Sequence, residues 1–135
     1  MRKNVDLLCH IIQYCDEIDE AVAHFGDNIE ALQSCSPYKN ATAMCVFQIG
    51  ELSAHLSDDF KAANNAIPWK QIRGMRNIVA HNYGDFSLKQ LWNTITEDIP
   101  MLRAYCESIL RRHAVLDQET ASEREEERTK TEDGI

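Results

Sequence analysis

The chain has 135 residues and a mass of 15.5 kDa, long enough to bury a core and short enough to form one domain. With 44% hydrophobic and 27% charged residues, and only 7% aromatics, five glycines and three prolines, the composition is that of a globular protein leaning towards helices over a strand-rich sandwich. A formal charge of −8 gives no general attraction for nucleic acid, so a role there needs a local basic patch.

The opening stretch MRKNVDLLCHIIQY carries two early positive charges, but Asp6, His10 and Gln13 break its apolar run. It reads as an amphipathic helix, not a signal peptide, and no stretch is apolar enough to span a membrane, so a cytosolic protein is expected. Val5, Leu8, Ile11/Ile12, Cys15, Ile18, Val22 and Phe25 recur at helical spacing, which predicts a first helix over 4–25 with Gly26 as its stop. A less regular connection follows through Leu32. Ser36-Pro37 predicts the start of a second helix, with Ser36 as N-cap and Pro37 at the first helical position. Its stripe runs through Ala41, Met44/Cys45, Gln48/Ile49, Leu52 and Leu56, and residues 58–66 read as a short turn or helical segment.

A third helix is expected from Pro68 to about Tyr83, with Gly84 suited to a left-handed C-terminal cap. A fourth is expected from Ser87 to Arg112 along Leu88, Leu91/Trp92, Ile95, Ile99, Leu102, Cys106 and Ile109/Leu110, kinked at Pro100. There is no strand-period alternation and no internal repeat. The expected fold is all-α, an antiparallel bundle of four to five helices. From Asp117 onwards the sequence holds eight acidic and three basic residues and almost nothing apolar before Ile135. This segment, 117–135, is expected to be a disordered tail or a frayed helix extension appended to a bundle over 1–116.

Cys9, Cys15, Cys35, Cys45 and Cys106 are odd in number and scattered, without a C-x-x-C pair, and read as small hydrophobes in a reducing compartment. The five histidines form no H-x-x-x-H or Cys/His cluster, so neither a metal site nor a cofactor is expected.

The third helix is the unusual one. On a helical projection Ile78, Met75, Val79, Ile72 and Tyr83 share one arc, and Arg76, Ala80, Arg73, Asn77, Lys70, His81 and Gly74 fill the opposite one. A solvated face would normally carry acids as well as bases, yet this arc has none. It holds three cations, an amide and an imidazole, with small Ala80 and Gly74 leaving room for another backbone to approach. Such a face suits an anion and a second protein surface; a solvated face whose Asn and His cap the helix end is the plainer alternative. Arg76 and His81 are five residues apart and therefore point about 140° away from each other. Gly50 inside the second helix suggests close helix packing. Glu51 beside it is read as solvated, with an ion pair to Arg73 or Arg76 as the alternative.

The stretch PWKQIRGMRNIVAHNYGDF (68–86) resembles the signature of HEPN domains of the HepT type, the toxin half of HepT/MNT toxin–antitoxin pairs. That motif is Arg, a polar residue, three free positions, His, one free position and Tyr, which Arg76, Asn77, His81 and Tyr83 match residue by residue. FQIGELSAHL (47–56) and LKQLWNTITEDIPML (88–102) resemble the family's second and last helices, so the similarity spans most of residues 1–112. The resemblance implies a homodimer with the two motif helices facing across a cleft, so that Arg76 and His81 need not converge within one chain. A larger hetero-oligomer is compatible with it.

Metal-independent ribonucleases occur in that family, and the residue types suit the chemistry. His81 can take a proton from a 2′-hydroxyl or give one to the leaving 5′-oxygen near neutral pH, and a helix C-terminus favours its charged form. Arg76 is a permanently charged, two-pronged donor for phosphorane oxygens, Asn77 a hydrogen-bonding support, and Lys70 and Arg73 backbone-phosphate contacts. The resemblance also implies that a partner nucleotidyltransferase, whose Gly-Ser…Asp-x-Asp pattern this chain lacks, attaches AMP to Tyr83; simple packing of Tyr83 is the alternative. Two other readings stand beside the ribonuclease toxin. One is a non-catalytic HEPN module that docks a nucleotidyltransferase and binds nucleotide or RNA. The other is a structural dimer whose polar arc is only an interface.

Overall fold

A computed structural model describes residues 2–81 and 87–133, the side chains of 77–81, 117, 120 and 128–133 excepted. Among the described residues every regular element is helical. Helix α1 spans Arg2–Phe25, α2 Ile29–Ser34, α3 Ser36–Ala54, α4 Asp58–Ala63, α5 Trp69–His81, α6 Leu88–Asn93 and α7 Ile99–Asp133, with a π-helical turn, Thr94–Asp98, joining the last two. The expected all-α bundle is what forms: α3 lies between α1 and α5, and α1 packs in turn on α7.

The core follows from the spacing of apolar residues. Leu8, Ile11, Cys15 and Ile18 line the inner face of α1, and Leu91, Ile95, Ile99, Leu102 and Cys106 continue one buried stripe from α6 through the π turn into α7. Gly26 ends α1 with φ +127, a conformation that L side chains rarely adopt, and its N–H donates to Val22 O at 3.0 Å. The connection that follows is more ordered than expected. Asn28 caps α2 through its side chain, and the Tyr38 hydroxyl donates a hydrogen bond back to Gly26 O at 3.1 Å.

Helix α3 departs from its expected stripe. Tyr38, Thr42, Ala43, Cys45, Val46, Ile49, Gly50 and Ser53 are buried, whereas Ala41 and Met44 face solvent. The physical reason is that α3 touches neighbours on two sides, which takes a wide face built partly from small residues that an apolar pattern does not register. Thr42 and Ser53 remain satisfied in the interior because their hydroxyls donate to Tyr38 O at 3.0 Å and Ile49 O at 2.7 Å. The N-cap is Cys35, not Ser36, and makes no side-chain capping bond; Ser36 and Pro37 occupy the first helical positions. Asn4 is buried because it exchanges two hydrogen bonds with Ser57, the N-cap of α4, at 3.1 and 3.2 Å.

Pro100 leaves its mark one turn earlier than a simple kink would. Ile99 N–H reaches Thr94 O, a five-residue step that widens the helix just ahead of the proline ring. Beyond it, α7 runs on through the acidic segment to Asp133, the helical alternative of the sequence reading. Past Leu110 its described side chains are exposed apart from the half-buried His113. An ion-pair chain ties α7 to α1: Arg103 Nε meets Asp16 Oδ1 at 2.6 Å, and Glu107 bridges Arg103 and Arg111.

All five cysteines are free, as expected; Cys15, Cys45 and Cys106 are buried and Cys9 is exposed. Burial pushes each of the three buried thiols up to about 12, with the Glu17 carboxylate adding to the effect at Cys45. In the unfolded chain these thiols ionise near 9.0, so above that pH the unfolded state sheds protons that the folded state keeps. Stability should therefore decline from about pH 9 towards pH 12, by on the order of 1 kcal/mol per pH unit for each buried thiol. Urea denaturation at stepped pH checks this, with Cys15→Ala and Cys106→Ala flattening the alkaline slope.

Candidate functional site

The rotation of α5 is set at its first turn. Trp69 is buried, its ring centroid 6.0 Å from that of Phe60, and its indole Nε1 donates to Asn64 O at 3.0 Å. Ile72 follows on the same ridge, also buried. The next position on that ridge, where another apolar residue would continue the stripe, is Arg76.

Arg76 can stand there because of what faces it. A Cβ built on Gly50 would lie 2.9 Å from Arg76 Cβ, 3.1 Å from Arg76 N and 3.3 Å from Ile72 O. Helices α3 and α5 thus meet backbone to backbone, and the close packing expected of Gly50 is found. The next residue, Glu51, accepts a hydrogen bond from Arg76 Nη1 at its Oε1, 3.0 Å away. The two side chains are 31% and 35% exposed, which places the pair at the mouth of the α3–α5 seam. Glu51 is therefore not the solvated residue expected; it takes the alternative partner, Arg76. The sequence signal was the Gly50-Glu51 dipeptide, whose meaning depends on which residue of α5 lies opposite.

Arg76 thus stands at the edge of the arc where α5 meets α3, and a carboxylate from α3 reaches that edge of an arc that lacks acids of its own. Lys70 and Arg73 are exposed on α5, and among the described residues neither enters an ion pair. A Cβ at Gly74 would meet no described atom within 4 Å, so this point of the arc is open. Asn77 and His81 stand on α5, but their side chains lie outside the described residues, as do Tyr83 and Gly84 altogether.

A cavity of about 490 Å³ opens on another side of α5, lined among others by Ile72, Met75, Asp98, Met101 and Tyr105. It contains none of Lys70, Arg73 and Arg76, and its walls are mainly apolar, so it is separate from the cationic face. Among the described residues no group of three His, Cys, Asp or Glu side chains could hold a metal ion.

A profile of the family described as "Ribonuclease HepT-like" matches residues 11–109, from the first helix to the last buried turns of α7, with the whole of α5 inside. The chain belongs to this family. The resemblance read from the motif is thereby confirmed, and the HepT-like match stops short of the acidic extension. A protein of Caldanaerobacter subterraneus subsp. tengcongensis named "Putative RNase" is 30% identical over 103 residues, covering 76% of this chain and 90% of that one. One of Thermococcus cleftensis named "Probable ribonuclease HepT" is 38% identical over 61 residues, covering 45% of this chain and 56% of its own. No solved structure matches.

The Gly50 contact generates a test of this HepT-like seam. Gly50→Ala gains about 1 kcal/mol of helix propensity but forces a methyl against the Arg76 backbone, an overpacking cost of about 1–3 kcal/mol. The expected net result is a lower thermal midpoint by circular dichroism. A midpoint equal to or above the parent's would mean that the two helices are not in contact at this point.

Proposed function

We propose that this HepT-like protein is a metal-independent endoribonuclease, the toxin of a type VII-like HEPN/MNT toxin–antitoxin pair, acting as a cytosolic homodimer or within a larger hetero-oligomer. The observation that carries the reading is the motif arginine, Arg76, standing at the α3–α5 seam on the same helix as the exposed Arg73 and Lys70, in a chain of a ribonuclease family. Open space at Gly74 supports a second copy approaching this face. On this reading the working unit is the bundle over 1–116, with 117–135 as an acidic appendage.

The chemistry proceeds by transesterification. His81 takes the proton from a 2′-hydroxyl, the O2′–P bond forms, and the P–O5′ bond breaks as a second imidazole gives O5′ its proton. The products are a 2′,3′-cyclic phosphate and a 5′-hydroxyl. Arg76 and His81 lie about 140° apart around α5, so the two His81 residues of a dimer, one as acid and one as base, complete a site that one chain does not. Arg76 stabilises the charge growing on the phosphorane oxygens, a role typically worth about 2.7–4 kcal/mol of barrier. Asn77 holds the imidazole or a phosphate oxygen by hydrogen bonding. Lys70 and Arg73 hold the flanking RNA backbone without reading its sequence.

Arg76→Ala and His81→Ala are each expected to lower RNA cleavage by about a hundredfold or more while the helical circular dichroism persists. Parental cleavage should continue in EDTA, since neither role calls on a metal. Cleavage by either variant at the parental rate would remove that residue from the chemistry.

Control is assigned to Tyr83, two residues after His81. An attached AMP brings negative charge to the cations of α5 and competes there with the RNA backbone. Co-expression with a cognate MNT-type nucleotidyltransferase should add one or more AMP units to the Tyr83 peptide by mass spectrometry. Tyr83→Phe should stay active and escape neutralisation. An inactive Tyr83→Phe that is still restrained would place Tyr83 in the site and make inhibition a matter of protein contact.

A further inference from the structure

The two ends of the Arg76 side chain are held by two consecutive residues of another helix. Its base lies against Gly50, where an added Cβ would come within 2.9 Å of Arg76 Cβ, and its tip donates from Nη1 to Glu51 Oε1 at 3.0 Å. A long, flexible side chain at a helix surface ordinarily samples many rotamers, and ordering it at the moment of reaction costs rate. Here Gly50 fixes how close α5 comes, and the carboxylate one residue on fixes where the guanidinium sits. Among the described residues the bond runs through one of the five N–H donors a guanidinium offers, so Glu51 sets the position of the group without claiming the whole fork. Both partners are about two-thirds covered, enough to hold a geometry and open enough for a phosphate to arrive.

We infer that Glu51 is a positioning residue: it holds the Arg76 guanidinium at the α3–α5 seam in the orientation that meets the phosphate. It touches no reacting atom itself. The activity readout of this inference rests on the ribonuclease reading. A carboxylate beside Arg76 also weakens the resting attraction for anions, so its effect should divide unequally between the two kinetic constants. Removing it loosens the arginine and lowers kcat, yet it also removes a negative charge and so should not raise KM.

The test uses Glu51→Ala, the isosteric Glu51→Gln, which keeps an acceptor oxygen for Nη1, and RNA cleavage measured over a range of substrate concentration. Glu51→Ala should lose about tenfold or more in kcat with KM unchanged or lower, and Glu51→Gln should stay within about threefold of the parent. Parental kcat in Glu51→Ala, a raised KM with kcat intact, or equal losses in both variants would each overturn the assignment. A second measurement separates this inference from the ribonuclease reading. Rotation about the Arg76 Nε–Cζ bond, followed by ¹⁵N NMR, should be slow in the parent and in Glu51→Gln and fast in Glu51→Ala. If the protein cleaves no RNA but this pattern holds, the ribonuclease reading falls and the positioning contact stands. If rotation is equally fast in all three, the positioning assignment falls whatever the activity.

Discussion

The contact between Gly50 and the backbone of Arg76 is the constraint on which the arrangement of this protein's cationic helix depends. Helices carrying ordinary side chains pack with their axes 8–10 Å apart, the spacing being set by the residues at the contact. At position 50 α3 presents no side chain, so α5 comes in until a Cβ there would lie 2.9 Å from Arg76 Cβ and 3.1 Å from Arg76 N. That approach puts an arginine on the ridge begun by Trp69 and Ile72, where a bulkier residue at 50 would push it outwards. It also places Glu51 within hydrogen-bonding distance of the guanidinium. A glycine inside a helix costs about 1 kcal/mol relative to alanine, and here the cost is matched by a function for the missing methyl.

The ion pair itself adds little to stability. Pairs with this much exposure typically contribute about 0.2–1 kcal/mol. The anchoring of α5 comes instead from Trp69 and Ile72, whose burial is worth roughly 1.5–3 kcal/mol for each large side chain, and from the indole bond to Asn64 O. Stability and chemistry are thereby divided along the helix. Trp69 and Ile72 tie the first turn down by apolar contact on one side, while Lys70 in the same turn and Arg73 and Arg76 beyond it are displayed. The apolar cavity beside the same helix takes no part in this display, since none of Lys70, Arg73 and Arg76 lines it.

The last helical rod shows a different compromise. Proline at 100 removes an amide donor from a helix that must nevertheless carry a continuous buried stripe from Leu91 to Cys106. A π turn at Thr94–Asp98 absorbs the missing bond and the ring while Ile95 and Ile99 stay in the core. Beyond the bundle the same helix continues to Asp133 with its described side chains largely exposed.

Much of this was legible in the residues themselves. Apolar spacing of three and four fixes α1 and the buried stripe of α6 and α7 without reference to any neighbour, because a helix face is a property of the chain alone. Gly26 marked its helix end for the same local reason. The motif Arg76-Asn77-…-His81-x-Tyr83 and the acid-free arc were likewise readable, and they led to the family. What the sequence could not decide was everything that depends on a second element. The true inner face of α3 is built from Thr42, Ala43, Gly50 and Ser53, residues that are buried because two helices press on them and not because they are apolar. The cap at Cys35, the Asn4–Ser57 exchange across 53 residues and the meeting of Glu51 with Arg76 across 25 are choices made between helices. Periodicity assigns a residue to a face; only packing decides what that face touches.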